Sequence, residues 1–525
     1  MNQESNSRGM SLLKKGKHGI VTAIFSRVGL IIMLLALQVF LLFGIFRWFE
    51  DFLPHIYGGS IIFNVLIVLY LLNSSFDPTA KITWLIIILV FPVFGALLFL
   101  YTQQDIGHRA LKARALQLIA ETKHMIPQSQ KTLDDLEAVS PGAAGLSRYV
   151  SRSGCYPIYK NTEVTYFPIG EDKFEALLRE LEQAEHFIFL EYFIVKEGIM
   201  WGQVLEILAR KAKEGVDVRV MYDGTCEFSA LPHNYPGRLK ELGIQCKAFA
   251  PITPFVSTHY NYRDHRKILV IDGKVGFTGG VNLADEYINR CERFGHWKDT
   301  AVMLKGEAVR SFTLMFLQTW SMEEKEPVFE PYIQVPKDLD VKADGFVMPY
   351  GDCPLDSYKV GEQVYIDLLN RAQHYVHIMT PYLILDGEME NAIKYAAERG
   401  VDVRIILPGI PDKKIPFALA LTHYASLLDS GVKLYEYTPG FVHAKSFVVD
   451  GQECVVGTIN LDYRSLYHHF ECATYMYGVD CIADVEHDFQ ETQVKCKQVT
   501  KEGIKHEPLA RRITGYIMKV FAPLL

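Results

Sequence analysis

Residues 265–282 read HRKILVIDGKVGFTGGVN, and residues 443–460 read HAKSFVVDGQECVVGTIN. Both fit one pattern, H-x-K-x4-D-x6-G-[GT]-x-N. His265 and Lys267 stand at i and i+2, as do His443 and Lys445, so on a strand each pair leaves the same face. Asp272-Gly273 and Asp450-Gly451 are hairpin-turn dipeptides. The apolar runs that follow predict an antiparallel return, which brings Asn282 and Asn460 back beside their histidines. Each copy then offers an imidazole, an ammonium and an amide on one surface. One H-x-K-x4-D carries little information. Two copies, at one place in a repeat and with matching Gly and Asn offsets, are not an accident of composition.

The repeat extends upstream. AEHFIFLEYFI (184–194) is followed by EGVDVRVMYDG (214–224); AQHYVHIMTPYLI (372–384) is followed by RGVDVRIILPG (399–409). Each pair is an apolar β-rich run, an amphipathic stretch, then a second apolar run entered through Gly-Val-Asp-Val-Arg. That is a β–helix–β unit with a parallel strand pair. The strands are continuous in Val, Ile and Met because both faces are covered. The expected fold class is α/β, with two repeated α/β/α halves at 150–335 and 336–508 packed about a pseudo-twofold. A length of 525 residues accommodates this with room for further units.

Charge separates the ends of the chain. There are 54 Lys and Arg against 61 Asp and Glu, a net charge of −7. Residues 1–125 carry +5 of this and the remainder −12. An acidic body argues against a nucleic-acid partner. With 49% hydrophobic and 22% charged residues, extended disorder is excluded. The nine cysteines include no CxxC pair, so zinc-ribbon spacing is absent and reduced thiols in a cytoplasmic body are expected.

The N-terminal quarter reads as a membrane segment, 28–101, after a basic cytoplasmic N-terminus, 1–27. Its apolar runs are 28–46, 56–72 and 82–100. The first and third have spanning length, about 20 residues. Gly58, Gly59, Ser60 and Asn64 dilute the second, and Pro92 interrupts the third. Basic residues flank the block on both sides, which favours two true spans and a cytoplasmic body. A connector, 102–149, leads to the repeat. The tail, 509–525, has Leu509, Ile513, Tyr516, Ile517, Val520, Phe521 and Leu524 at helical spacing, with Arg511, Arg512 and Lys519 off that stripe. It suits an interfacial helix on an anionic bilayer, or a helix packed on the body.

At the two HxKxxxxD stretches the sequence resembles the phospholipase D superfamily. NYRDHRKILVIDG, GGVNLADEY, HWKDT, FVHAKSFVVDG, GTINLDYRS and the apolar block with DPTAKITWLIIILVFPVFG resemble its bacterial cardiolipin synthase branch. The resemblance covers nearly the whole chain from about residue 60. It implies two phospholipase D-like halves, phosphatidylglycerol as substrate, a bacterial cell membrane location and a multi-pass anchor. It implies a phosphatidyltransferase that joins two phosphatidylglycerols into cardiolipin with release of glycerol, without cofactor or metal. In this reading His265 attacks phosphorus and His443 serves as acid and base. Lys267, Lys445, Asn282 and Asn460 hold the non-bridging oxygens. Asp299 in HWKDT and Glu471 in HHFE orient the imidazoles. Asp272 and Asp450 complete the catalytic motifs, with a turn position that suggests a structural role. His468 and His469 lack metal-ligand spacing and are assigned no role. Rival readings are a phospholipase D hydrolase that releases phosphatidic acid and a transferase with phosphatidylethanolamine as donor. A tethered nuclease would want a basic groove, and a non-catalytic scaffold would show degraded motifs. The resemblance leaves oligomeric state open.

Overall fold

A computed structural model describes residues 27–52, 59–74, 76–103, 106–232, 234–251, 262–336 and 339–524. The basic stretch before Arg27 and residues 53–58 and 252–261 lie outside the described residues. In chain order the first half contains β1 (Thr162–Phe167), β2 (Phe187–Tyr192), β3 (Asp217–Asp223), β4 (Gln245–Phe249), β5 (Arg263–Asp264), β6 (Lys267–Ile271), β7 (Val275–Gly279), β8 (His296–Lys298) and β9 (Ala301–Gly306). The second contains β10 (Phe346–Asp352), β11 (Tyr375–Met379), β12 (Asp402–Pro408), β13 (Lys433–Tyr437), β14 (Gly440–Val442), β15 (Ser446–Val449), β16 (Glu453–Gly457), β17 (His469–Tyr477) and β18 (Cys496–Gln498).

The two sheets run β1-β9-β7-β6-β2-β3-β4 and β10-β17-β16-β15-β11-β12-β13-β18. Their first seven positions correspond one to one, so the repeat seen in sequence is a repeat of topology. The crossover pairs β2–β3 and β11–β12 are parallel. The motif hairpins β6–β7 and β15–β16 are antiparallel. Their turns have positive φ at both central residues, 52° and 65° at Asp272-Gly273 and 53° and 65° at Asp450-Gly451. That is the primed turn whose twist matches the flanking strands. Two short parallel pairings cross between the halves: β14 with β8 and β5 with β17. One continuous core includes Ile268, Val270 and Leu304 from the first sheet with Met348, Val455 and Tyr475 from the second.

The stretch 102–149 is largely helical. Its helices include Gln130–Val139, and the next, Pro141–Ser153, leads into the first half. Leu118, Leu133, Leu136 and Leu146 are buried in the shared core. The N-terminal block departs from the sequence expectation. The third apolar run is not one helix but two, Pro78–Val90 and Phe94–Gln103. Pro92 has no N–H to continue the first helix, and Val93 takes φ 62°. The second helix folds back so closely that a Cβ on Gly95 would stand 2.7 Å from the Ile87 carbonyl oxygen. Asn64 of the second run accepts a bond from the Val93 N–H at 3.1 Å, helping to hold this reversal. The 13-residue helix and the 14-residue helix Gly59–Leu72 are each about 20 Å long, short of the ~30 Å hydrocarbon core. In the helix Arg27–Phe52, side chains are described without interruption only from Val39. Among the described residues no helix is long and apolar enough to cross a membrane. The two expected spans are therefore not shown by the described residues.

The tail forms the helix Leu509–Phe521. It lies against the helix Lys414–Asp429 at Gly515, where a Cβ would meet the Ala418 carbonyl oxygen at 2.2 Å. The Thr83 hydroxyl donates to the Val520 carbonyl at 2.6 Å, so the tail also touches the N-terminal block. Leu509, Ile513, Tyr516 and Ile517 remain exposed on its outer side.

Candidate active site

Each motif histidine follows a two- or three-residue strand that pairs with the opposite half. The His265 N–H donates to the Phe470 carbonyl at 2.9 Å, and the His443 N–H to the Lys298 carbonyl at 2.7 Å. The carboxylates arrive the same way. His265 Nδ1 is 2.8 Å from Glu471 Oε1, and His443 Nδ1 is 2.6 Å from Asp299 Oδ2. Glu471 belongs to the second half and Asp299 to the first. Each imidazole is therefore oriented by an acid from the other repeat. All four side chains are buried.

With a carboxylate at Nδ1, each ring carries its proton there and leaves the Nε2 lone pair free. Burial drives the His265 imidazole well below the ordinary value, and Lys267 adds to this against the pull of Glu471. His443 is drawn down to about 4 by burial and Lys445, against Asp299. Burial raises the Glu471 carboxyl, but His265 and His469 outweigh it and hold the group ionised. Thr458 also donates its hydroxyl to Glu471.

The ammonium of Lys267 donates to the His265 carbonyl at 2.5 Å, and that of Lys445 to the His443 carbonyl. Both lysines are almost fully buried. Burial lowers Lys267 to about 8 and Lys445 to about 7, and each feels the other half's carboxylate. Lys267 further lowers Lys445 through charge, so the two ammonium groups share one electrostatic site. Two such cations beside two imidazoles suit a tetrahedral phosphorus with anionic oxygens.

Asn282 and Asn460 are buried. Asn282 Oδ1 accepts from the Ile194 N–H at 2.9 Å, and its Nδ2 donates to the Tyr287 hydroxyl at 2.9 Å. The Tyr287 ring stands 5.4 Å from the His443 ring, so this amide connects to the histidine of the other half rather than to His265. Among the described residues, Asn460 Oδ1 is buried with no hydrogen-bond partner. Asp272 and Asp450 stand apart from the imidazole and ammonium groups. They lie at the far ends of their strands, five residues beyond the lysines, about 16 Å along an extended chain. The Asp272 carboxylate accepts from the N–H groups of Glu185, His186 and Phe187, each at 2.8 Å. Asp450 accepts from Gln373 at 2.7 Å and from His374 and Tyr375 at 2.8 Å. They fasten the motif hairpins to the starts of β2 and β11.

Other side chains complete the site. Phe193 packs edge-on to His265 at 4.9 Å, and Trp297 stands 5.4 Å from His443. His469 lies 5.4 Å from His265, ring to ring. The pattern HHFE contains a signal for it, because i and i+2 on a strand share a face and His469 is two before Glu471. Gly280 is required by crowding, since a Cβ there would fall 1.9 Å from Asp299 Oδ1. Two clusters among the described residues have ligand atoms close enough for an ion: His265, His469 and Glu471; and Glu362, Asp386 and Glu388. In the second, the Tyr467 hydroxyl already joins Glu362 and Asp386, and Lys359 stands 3.4 Å from Glu362.

Comparison with known proteins finds relatives over most of the chain. A family described as cardiolipin synthase, phospholipase D-like domain, matches residues 177–320 and 365–493. A phospholipase D-nuclease N-terminal family matches 62–102. An uncharacterized protein of Streptococcus mutans is 58% identical over 87% of this chain and 99% of its own length. The cardiolipin synthase of Alkalihalophilus pseudofirmus is 33% identical, over 91% of this chain and 95% of that protein. That of Halalkalibacterium halodurans is 34% identical, over 87% and 91%. The crystal structure of Haemophilus influenzae phosphatidylserine synthase shares the fold, with a TM-score of 0.54 at 16% identity over 69% of this chain and 93% of that one. With both repeats matched by one family and relatives aligned over nine-tenths of its length, the chain belongs to the cardiolipin synthase family of phospholipase D-like proteins.

Proposed function

We propose that the protein is a phosphatidyltransferase that makes cardiolipin and glycerol from two molecules of phosphatidylglycerol. The observation that carries the reading is the reciprocal pair, His265 with Glu471 and His443 with Asp299. It supplies two imidazoles with fixed tautomers and two ammonium groups around one volume. In the first step His265 Nε2 attacks phosphorus while the glycerol oxygen leaves, taking a proton from His443. In the second, His443 accepts the proton of a hydroxyl on the incoming phosphatidylglycerol. That oxygen attacks phosphorus, and the P–N bond breaks. Lys267 and Lys445 oppose the charge on the non-bridging oxygens throughout. Asn282 and Asn460 help to hold those oxygens.

A hydroxyl acceptor must compete with bulk water, which favours a site opening into a headgroup layer. Membrane association is part of the proposal. Phe40, Ile61 and Leu89 leave most of their surface uncovered in the N-terminal helices, which suits lipid better than water. The tail helix adds a contiguous apolar face with Arg511, Arg512 and Lys519 beside it. A small pocket is lined by Phe441, whose ring lies 5.9 Å from His443, and by Phe417. The Arg511 guanidinium of the tail lies over the Phe417 ring, 5.3 Å from its centroid.

Phosphate-labelled phosphatidylglycerol tests the mechanism directly. After a rapid quench, wild type should carry acid-labile label on protein, and His265→Ala should carry none. Label retained on His265→Ala would overturn the assignment of the nucleophile.

A further inference from the structure

On the Nδ1 side of His265, three buried side chains with metal-ligating atoms converge: His265, His469 and Glu471. Its Nδ1 is 2.8 and 2.9 Å from the two Glu471 oxygens. His469 Nδ1 lies on the same carboxylate, 3.7 Å from Oε1. It is buried, and among the described residues it makes no hydrogen bond of ordinary length. A buried, unpartnered nitrogen is costly, and here it is aimed at a carboxylate that a second imidazole already faces. All three ligand atoms lie within 4.8 Å of one another, so small side-chain shifts would bring them to about 2.0–2.2 Å from one ion. Thr458 fixes Glu471 from behind, as groups outside the ligand shell do in metal sites.

We propose that His265, His469 and Glu471 form an inhibitory site for Zn2+ or a similar borderline transition metal. Two imidazoles and one carboxylate, with an open fourth position for water, match that donor preference. Ca2+ and Mg2+ want more oxygens than are present. The Lys267 ammonium opposes any cation, so only a metal that gains strongly from nitrogen should enter. The inference rests on His265 as the nucleophile of the proposed reaction. In the active form Nδ1 carries the proton and Nε2 the free pair. When a metal takes the Nδ1 lone pair, the ring proton must move to Nε2, with no net change in protonation. A protonated Nε2 has no pair with which to attack phosphorus. The metal thus switches the nucleophile off by choosing its tautomer.

The test uses the full chain in its membrane, as wild type and His469→Asn, which removes one ligand. Zn2+ affinity is measured by competition with a chromophoric chelator, without turnover. Transfer is measured over the same Zn2+ range and normalised to each protein's metal-free rate, with Mg2+ as control. Wild type should bind one Zn2+ tightly and lose activity at least tenfold on occupancy, reversibly with EDTA. His469→Asn should need at least tenfold more Zn2+ for both effects. If wild type binds no Zn2+, or His469→Asn binds and is inhibited equally, the proposal is overturned. Zn2+ bound by His469 in wild type without loss of transfer would instead contradict His265 as nucleophile. Should His469→Asn fail to fold, His469→Gln serves in its place.

Discussion

Two lysines held almost out of water set the behaviour of the site at the residue scale. An amine whose value is lowered loses its charge, and its grip on an anion, as pH rises through that value. Lys445 at about 7 and Lys267 at about 8 should therefore give kcat/KM for phosphatidylglycerol an alkaline fall across pH 7–8. Bound phosphate stabilises both ammonium groups, so the fall in kcat should lie at higher pH. A kcat/KM that kept rising to pH 9 would show that these lysines do not act as cations. His443, near 4 when free, needs the same anionic neighbour to hold the proton it gives to the leaving oxygen. The two His-Lys pairs were legible because identical offsets recur in a repeat. Asp299 and Glu471 were legible as orienting acids, but their crossed pairing was not. Sequence spacing carries no information about which half a carboxylate faces.

Among elements, the motif hairpins and the terminal helices make separable claims. Asp272 accepts three backbone N–H bonds at the start of β2. Hydrogen bonds to a charged group are worth about 1.5–3 kcal/mol each, and they are not additive. Asp272→Ala should cost roughly 3 kcal/mol or more, read as a lowered midpoint in thermal unfolding. Activity should fall only with the folded fraction. Full stability with abolished transfer would return Asp272 to the chemistry. The tail helix makes the second claim. Ile517→Glu, on its exposed face, should weaken binding of the protein to phosphatidylglycerol vesicles several-fold without changing the unfolding midpoint. Unchanged vesicle binding would leave this helix as packing alone. The hairpins could be read in advance because Asp-Gly turns have a local backbone signature. The broken third apolar run could not, because the Gly95 contact with Ile87 is tertiary. Pro92 marked the site of the break but not the reversal.

Across the whole molecule, the site exists only where the two repeats meet. Neither motif histidine takes its orienting carboxylate from its own half. Lys298 bonds Asp488 of the other half at 2.7 Å, and the Arg266 guanidinium donates to the Glu471 carbonyl at 3.1 Å. These buried ties adjoin the reacting groups, so association of the halves and positioning of the site are one event. The sequence made both sheets visible through their apolar β-rich runs. It could not show that one core would join them, because burial between halves leaves the same apolar pattern as burial under helices. The arrangement accounts for phosphatidyl transfer in general, and the acceptor decides what the enzyme makes. The deciding measurement incubates the membrane-embedded protein with phosphatidylglycerol labelled in both glycerol and phosphate, and separates lipid from water-soluble products. Two-histidine transfer between phosphatidylglycerols should give cardiolipin with one glycerol released for each molecule formed. Phosphatidic acid as the sole lipid product would contradict it and show that water is the acceptor.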